Sequence, residues 1–547
     1  MNDASLADLS QTNFTWLDWV IVAAYLMISV VIGLLVKRYA TNMTNYIAAG
    51  RRVGRWLGLA SLTGTELGLV TVMYSAEKGF KGGFAAFHIA VLAGMTTLVI
   101  GLTGFLIVPL RKTGVLTIPE FYGRRFGPKT RVLGGILLAA GGILNMGLFL
   151  RVGSMFIVGV TGMSEHGWAL PCVMTVLLTL VLVYTVLGGM ISVLVTDYIQ
   201  FVVLSLGMMI ATGLAIANLG WSDIFEAVRV HKGAKGFDPL AADSTFGWEY
   251  VVWMAFLGIV SCAIWPTSVA RALAMEDESA VKASFRWSSL SFTIRAMLPQ
   301  FWGICAMVFF VTQAPHLAEA FGLTGSLPAG DKPIKALYAM PLFFGKLLPA
   351  GLIGLVSAAM IAAFMSTHDS YLLCWSSVIV QDIVDPLRKE PLGIAARVRL
   401  TRILIVVIGI YVWVWGLFYQ GGDDVWDYMA LTGAIYFTGA FAVLAGGLYW
   451  KRASSAGAAC ALLAGSSAVL GLEPIRVRLG LAWLRLRGEQ ATVEAAEKLL
   501  TSARVGIATV LLTVTVFVVV SLLFPDKASD PAGGENGETA RALEGAP

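Results

Sequence analysis

The run Leu59-Ala60-Ser61-Leu62-Thr63-Gly64-Thr65-Glu66-Leu67-Gly68 lies inside an apolar stretch, residues 55–76. Its glycines, hydroxyls and carboxylate sit at a depth where polar side chains are costly. Such a segment makes a poor lipid-facing helix. It suits a broken one, whose freed carbonyls can bind a cation while its free amides face a solute. A close helix–helix seam of small residues is the competing reading, but a seam has no need of Glu66. A second interruption, Ser261-Cys262-Ala263-Ile264-Trp265-Pro266-Thr267-Ser268, contains a proline that removes a backbone donor and frees a carbonyl. Paired breaks, each opening a block of five helices, point to an inverted repeat, because an odd number of helices turns the second block over.

Composition agrees with a chain whose solvent is lipid. Hydrophobic residues make up 57% and charged residues 13%, against roughly 45–50% and 25% in soluble domains. The net charge of +5 comes without a long basic run, so nothing points to nucleic acid. The five cysteines lie inside apolar stretches without a CxxC pair and read as small apolar residues.

Apolar runs long enough to cross the hydrocarbon core occur near 17–36, 55–76, 84–110, 132–158, 167–187, 191–217, 249–273, 289–313, 345–383, 398–418, 425–449, 455–472 and 503–524. The expected fold class is therefore an all-α polytopic membrane protein of about 13 transmembrane helices. Its core is a 5+5 inverted repeat of spans two to six and seven to eleven. The first run is read as a retained span, since no basic region precedes it and no small-residue cleavage site follows.

The corresponding organisation is an amino-terminal outside segment with the first helix (1–54), a first repeat (55–217) and an extracellular loop (218–248). A second repeat (249–449), extra helices (450–524) and a disordered tail (525–547) follow. Lysines and arginines cluster after span one (Lys37, Arg38, Arg51, Arg52, Arg55), after span three (Arg111 to Arg131) and after span nine (Arg388 to Arg402). By the positive-inside rule the amino terminus is outside and the carboxyl terminus inside. The basic insertion 473–502 resists this scheme, since the count places it outside. Either a segment such as 478–486 re-enters the membrane or the last spans are miscounted.

Span nine carries Ala362-Ala363-Phe364-Met365-Ser366-Thr367-His368-Asp369-Ser370. Positions 363, 366, 367 and 370 share a helix face, presenting a carbonyl and three hydroxyls with Asp369 beside them. Hard oxygen donors of this kind suit an alkali or alkaline-earth cation. Hydroxyls bonded back to their own helix are the alternative.

Tyr184-Thr185-Val186-Leu187-Gly188-Gly189-Met190 with Thr196-Asp197-Tyr198-Ile199-Gln200 resembles the signature of the sodium:solute symporter family. So do Met365-Ser366-Thr367 with Asp369-Ser370, Ile118-Pro119-Glu120-Phe121 with Arg125-Phe126-Gly127, Ala270-Arg271, and Tyr449-Trp450-Lys451-Arg452. The resemblance runs in order from about residue 17 to 470 and implies the leucine-transporter-type fold. It also implies a sodium coupling ion held by the carbonyls of Leu59, Leu62 and Ala363 and the hydroxyls of Ser366 and Thr367. Asp197 matches an acidic position that some members use for a second sodium or for ion release. A second cation site is accordingly expected of Asp197, Ser366, Asp369 and Ser370; for Asp197 an interfacial ion pair is the alternative.

The expected substrate residues are Thr65, Glu66, His88 and Trp265, which suit a polar or zwitterionic solute. Two departures argue against a hexose. Gly82-Gly83-Phe84 is followed by Ala85-Ala86-Phe87 where sugar carriers have a glutamate, and Ala430 stands where they have a glutamine. The five histidines are scattered without an HExxH, so an enzyme is not expected. The reading is a sodium-coupled symporter of a small polar solute in the plasma or inner membrane. Its partners are that solute and the lipid bilayer, with no obligate protein partner. A proton-coupled carrier of the same fold and a membrane solute sensor are the alternatives.

Overall fold

The computed structural model describes residues 11–36, 54–163, 166–241, 244–324, 333–419 and 424–526, and no β-strand occurs among them. The basic stretch Lys37–Arg52, the tail after Asp526 and the side chains of Thr65 and Asp197 lie outside the described residues.

The chain opens with α1 (Trp16–Val36), then α2 (Arg55–Glu66), α3 (Leu69–Gly82), α4 (Phe87–Thr103) and α5 (Ile107–Lys112). Next come α6 (Ile118–Phe126), α7 (Pro128–Met146), α8 (Phe149–Val160), α9 (Ala169–Leu219) and α10 (Trp221–Lys232). The middle holds α11 (Gly247–Ala263), α12 (Pro266–Ala274), α13 (Glu278–Gln313), α14 (Pro315–Ala320), α15 (Ala339–Leu347) and α16 (Leu352–Val378). The last third comprises α17 (Ile394–Phe418), α18 (Val425–Tyr449), α19 (Ser455–Gly465), α20 (Glu473–Leu486), α21 (Val493–Leu499) and α22 (Ser502–Leu523).

Both expected breaks are present. The ladder of α2 ends with the Leu67 N–H donating to Thr63 O (3.1 Å), and α3 restarts with Val72 N–H on Gly68 O (3.1 Å). Span seven divides at Ile264-Trp265, where Trp265 is extended (ψ 124°) and Pro266 opens α12. Proline's missing N–H costs nothing at that first helical position.

Other boundaries differ from the sequence reading. Nine helical stretches among the described residues are long and apolar enough to cross a membrane, ten if the 455–471 and 473–486 pair, bent by 80°, counts as one. Among the described residues the count stays below 13, in part because α2 has only 12 residues. Runs 167–187 and 191–217 form one continuous helix, α9, which carries through Gly188-Gly189. The ninth run starts at Leu352, after a turn at Gly351 (φ +85°) that separates it from α15. The loop 218–248 contains α10.

The basic insertion forms α20 and α21 rather than continuing α19. Arg476 Nη1 bonds Leu500 O (2.8 Å), and Arg504 at the start of α22 pairs with Glu249 of α11 (2.8 Å). The insertion thus lies at the end of the bundle where α11 begins. Ser455 and Asp526 meet at the opposite end (3.0 Å).

Two features lock the bundle. Asp18, fully buried, accepts from Gly351 N (2.7 Å) and Gly354 N (2.8 Å), so a carboxylate caps the amide-rich start of α16. Helix α13 presses backbone-close against α3 and α4. A Cβ on Gly79 would lie 1.9 Å from Gln300 O, and one on Gly303 1.9 Å from Ala76 O. On α4, Gly94 faces Ser289 O (3.0 Å) and Gly101 faces Arg286 N (2.4 Å) in the same sense.

This seam sets a test. Gly303→Ala forces two backbones apart and should lower the melting temperature in detergent by several degrees, in line with about 1–3 kcal/mol for overpacking. Gly213→Ala on α9, with nothing within 4 Å of the new methyl, should leave it unchanged or raise it. Equal melting of both variants with the wild type would show that the seam carries no load.

Candidate functional site

The breaks face one cavity, about 130 Å³ of which is open to the centre of a water-sized sphere. A water needs roughly 10–15 Å³ by that measure, so the space suits about ten waters or a solute of about ten non-hydrogen atoms. Glu66, Trp265 and Thr367 all reach its wall. Glu66 is the last residue of α2, and its Oε1 accepts from Thr267 Oγ1 (2.6 Å) and Ser268 Oγ (2.8 Å) in the first turn of α12. The carboxylate of one break is thereby fastened to the hydroxyls of the other. Trp265 donates through Nε1 to Tyr371 OH (2.7 Å), joining the second break to α16.

His88 is not part of the wall. Its Nδ1 lies 2.6 Å from Ala85 O in the preceding turn, and its ring packs edge-on against Phe246 and Tyr250. These contacts hold the ring against Phe246 and Tyr250 beside α11, apart from the residues that line the cavity.

Ala363, Ser366 and Thr367 are buried on α16. Gly68, at the first break, comes so close that a Cβ there would be 2.3 Å from Thr367 Oγ1. Only glycine permits that approach. Leu59 and Leu62 sit within α2, before its ladder ends at Thr63, so their carbonyls are in helical register and not in the opened stretch. The Ser366 and Thr367 hydroxyls lie here beside the first break, and among the described residues no cluster of histidine, cysteine and acidic side chains suits a transition metal. This donor set fits sodium.

Two residues of the expected second cation site, Asp369 and Ser370, are linked to Arg271. Arg271 on α12, 2% exposed, donates through Nη2 to Ser370 Oγ (2.7 Å), which donates to Asp369 Oδ1 (3.1 Å). A permanently charged guanidinium thus bonds Ser370, one of the four residues expected to hold a second cation.

Sequence reading missed several residues. Asn145 and Arg295 line the cavity, from α7 and α13. Tyr74 and Trp426 also line it and meet at a centroid distance of 4.5 Å. One turn beyond, Lys78 bonds both Asp424 (2.9 Å) and Asp427 (3.1 Å), Lys81 bonds Asp424 and Glu77, and Tyr250 OH donates to Asp427 (3.3 Å). The lattice joins α3, α11 and the start of α18 across the cavity's end. Burial alone would raise the Asp424 carboxyl, but the Lys78 and Lys81 ammoniums hold it well below the usual carboxylate range. Towards the opposite end, Arg131 of α7 pairs with the fully buried Asp382 (2.9 Å) and bonds Gln381 O.

Comparison with known proteins adds to this geometry. The profile of the sodium:solute symporter family matches residues 46–465. The sodium/glucose cotransporter of Vibrio parahaemolyticus is 25% identical over 475 residues, covering 83% of this chain and 84% of that protein. The sodium/proline symporter of Staphylococcus aureus (strain Newman) is 24% identical over 478 residues, covering 84% and 86%. Among solved structures, a Na+-coupled sialic acid symporter superposes with a TM-score of 0.72 at 20% identity, over 94% of this chain and 100% of that one. Mhp1, a nucleobase-cation-symport-1 family transporter, gives 0.50 at 13% identity over 92% and 99%.

The ion lattice gives the prediction of this site. Lys78→Met leaves Asp427 without its buried ammonium, while Asp424 keeps Lys81. Removing one partner of a buried pair costs about 3–5 kcal/mol, and the partial exposure of both carboxylates puts the expected loss at or below the lower figure. A clear drop in melting temperature relative to Lys498→Met, which removes an exposed pair (2.8 Å), is expected. Identical melting of the two variants would remove the lattice from the account of stability.

Proposed function

The chain belongs to the sodium:solute symporter family, and from that premise we propose that it carries a small polar solute across the membrane together with sodium, by alternating access. It is a secondary transporter and not an enzyme. The observation that carries the coupling is the position of Thr367. This one side chain lies on the solute cavity wall and also against the Gly68 break.

In this reading sodium is held by the Ala363 carbonyl and the Ser366 and Thr367 hydroxyls, with carbonyls of α2 completing the shell. Leu59 and Leu62 are the candidates there, and Thr63, where the ladder ends, is the neighbour to test beside them. A cation between α2 and α16 draws the first break against a helix that also touches the solute. Oxygen ligands replace the water the ion gives up. Sodium therefore favours the closed cavity, and solute in the cavity favours retention of sodium.

Residues 55–217 and 249–449 are the proposed inverted repeats, with 450–524 packed outside them. We place the Lys78–Asp424 end outward and the Arg131–Asp382 end inward, in the cell membrane. Basic residues on α5 to α7 and between α16 and α17 then face the cytoplasm. The arginines of α20 lie at the outward end in this orientation and depart from the rule. Opening alternates between the two ion-paired ends, so that the cavity meets one side of the membrane at a time.

Binding of radioactive sodium to purified protein tests the reading. Ser366→Ala and Thr367→Ala should each weaken sodium binding tenfold or more, about 1.4 kcal/mol or greater. Ser376→Ala, nearly three turns on, should not. Sodium affinity unchanged in both site variants, or full activity with protons or potassium in place of sodium, would overturn sodium coupling at this position.

A further inference from the structure

Arg295 sits at the middle of α13, on the wall of the cavity. Its guanidinium carbon lies 3.6 Å from the centre of the Phe292 ring. Its Nη1 is buried and has no hydrogen-bond partner, and no carboxylate lies within 4 Å of it among the described residues. Arginine stays charged in any protein environment, and a cation at this depth is costly unless something answers it. Glu66 does not: its Oε1 is taken by Thr267 and Ser268, and it forms no ion pair with Arg295.

We propose that Arg295 is the docking point for a carboxylate on the transported solute, and that the solute is a small monocarboxylate, free or zwitterionic. This rests on the reading of the cavity as the solute site. A guanidinium presents paired N–H donors in a plane, which matches the two oxygens of a carboxylate. A neutral polyol offers no charge to answer it and leaves a buried donor poorly satisfied.

The rest of the wall defines the remainder of the molecule. Glu66 is the other charged side chain on it, so a second carboxylate would meet repulsion, whereas an ammonium would be tolerated. Phe149, Trp265, Trp426 and Phe437 supply an apolar lining for the body. The volume limits that body to about ten non-hydrogen atoms. Helix α13 is fixed against α3 and α4 by the glycine seam, so Arg295 is held by a rigid element rather than a loop.

The test uses the full-length protein in detergent with sodium present. Melting temperature is titrated with propionate, lactate, pyruvate, alanine and proline, with the primary amide of each, and with glucose. At least one acid should stabilise the protein at a concentration tenfold or more below that of its amide. Arg295→Gln should erase the difference between acid and amide, and Arg295→Lys should retain part of it. Stabilisation by sodium alone, equal in Arg295→Gln and the wild type, verifies that the variant is folded. The proposal is overturned if no acid stabilises, if glucose or an amide matches the acids, or if the folded Arg295→Gln responds to acids like the wild type. Repeating the titration in potassium separates the two claims. An acid response that survives without sodium supports the carboxylate site and counts against sodium coupling.

Discussion

Inside a bilayer every backbone N–H and C=O must find a partner within the protein, and this requirement governs the whole arrangement. A helix can be broken at membrane depth only where other protein groups or a water-filled space receive what the break releases. Both breaks in this chain therefore face inward and face each other. Glu66 of one accepts from Thr267 and Ser268 of the other, and Trp265 reaches across to Tyr371. The cavity between them is the space that the breaks require, so the proposed solute site and the exception to regular structure are one feature.

Charge follows the same logic. Few ionisable side chains lie deep in the bundle, and those that do are engaged or face the cavity. Asp18 caps α16, Arg271 is joined to Ser370 and Asp369, and Arg131 holds Asp382. At the other end two lysines and two aspartates bind three helices together. These pairings span elements that a transport cycle must separate and rejoin. Their strength bears on how easily each end opens.

Much of this was legible in the sequence, and the failures have physical causes. The breaks showed because glycine, proline and a carboxylate in an apolar run violate a local rule. Ser366 and Thr367 showed because helical spacing places hydroxyls on one face. Arg295 did not, because a lone arginine near the polar start of a span reads as interfacial, and only the continuation of α13 back to Glu278 puts it at depth. Lys78 and Asp424 are 346 positions apart, and no local pattern pairs them. The packing of His88 against Phe246 and Tyr250 was not legible, because a histidine in a span says nothing about which face it takes. The nearness of Arg271 to Ser370 is a fact of packing that no local pattern announces. Gly188-Gly189 lie within α9, since glycine weakens a helix without having to end it.

The glycine seam also constrains the order in which the molecule is made. Helices α3 and α4 can complete their contact with α13 only after the chain between them has been synthesised. That separation is about 200 residues, or roughly 10–40 s at ordinary rates of translation. During that interval Gly79, Gly94 and Gly101 present bare backbone grooves to lipid or to whatever helix arrives first. A lipid chain fills such a groove without hydrogen bonds and leaves it readily, whereas a wrongly seated helix leaves slowly. The narrowness of the grooves is therefore a filter during biogenesis. Only a helix with its own gap at the matching height, as Gly303 supplies on α13, can settle against them to full depth.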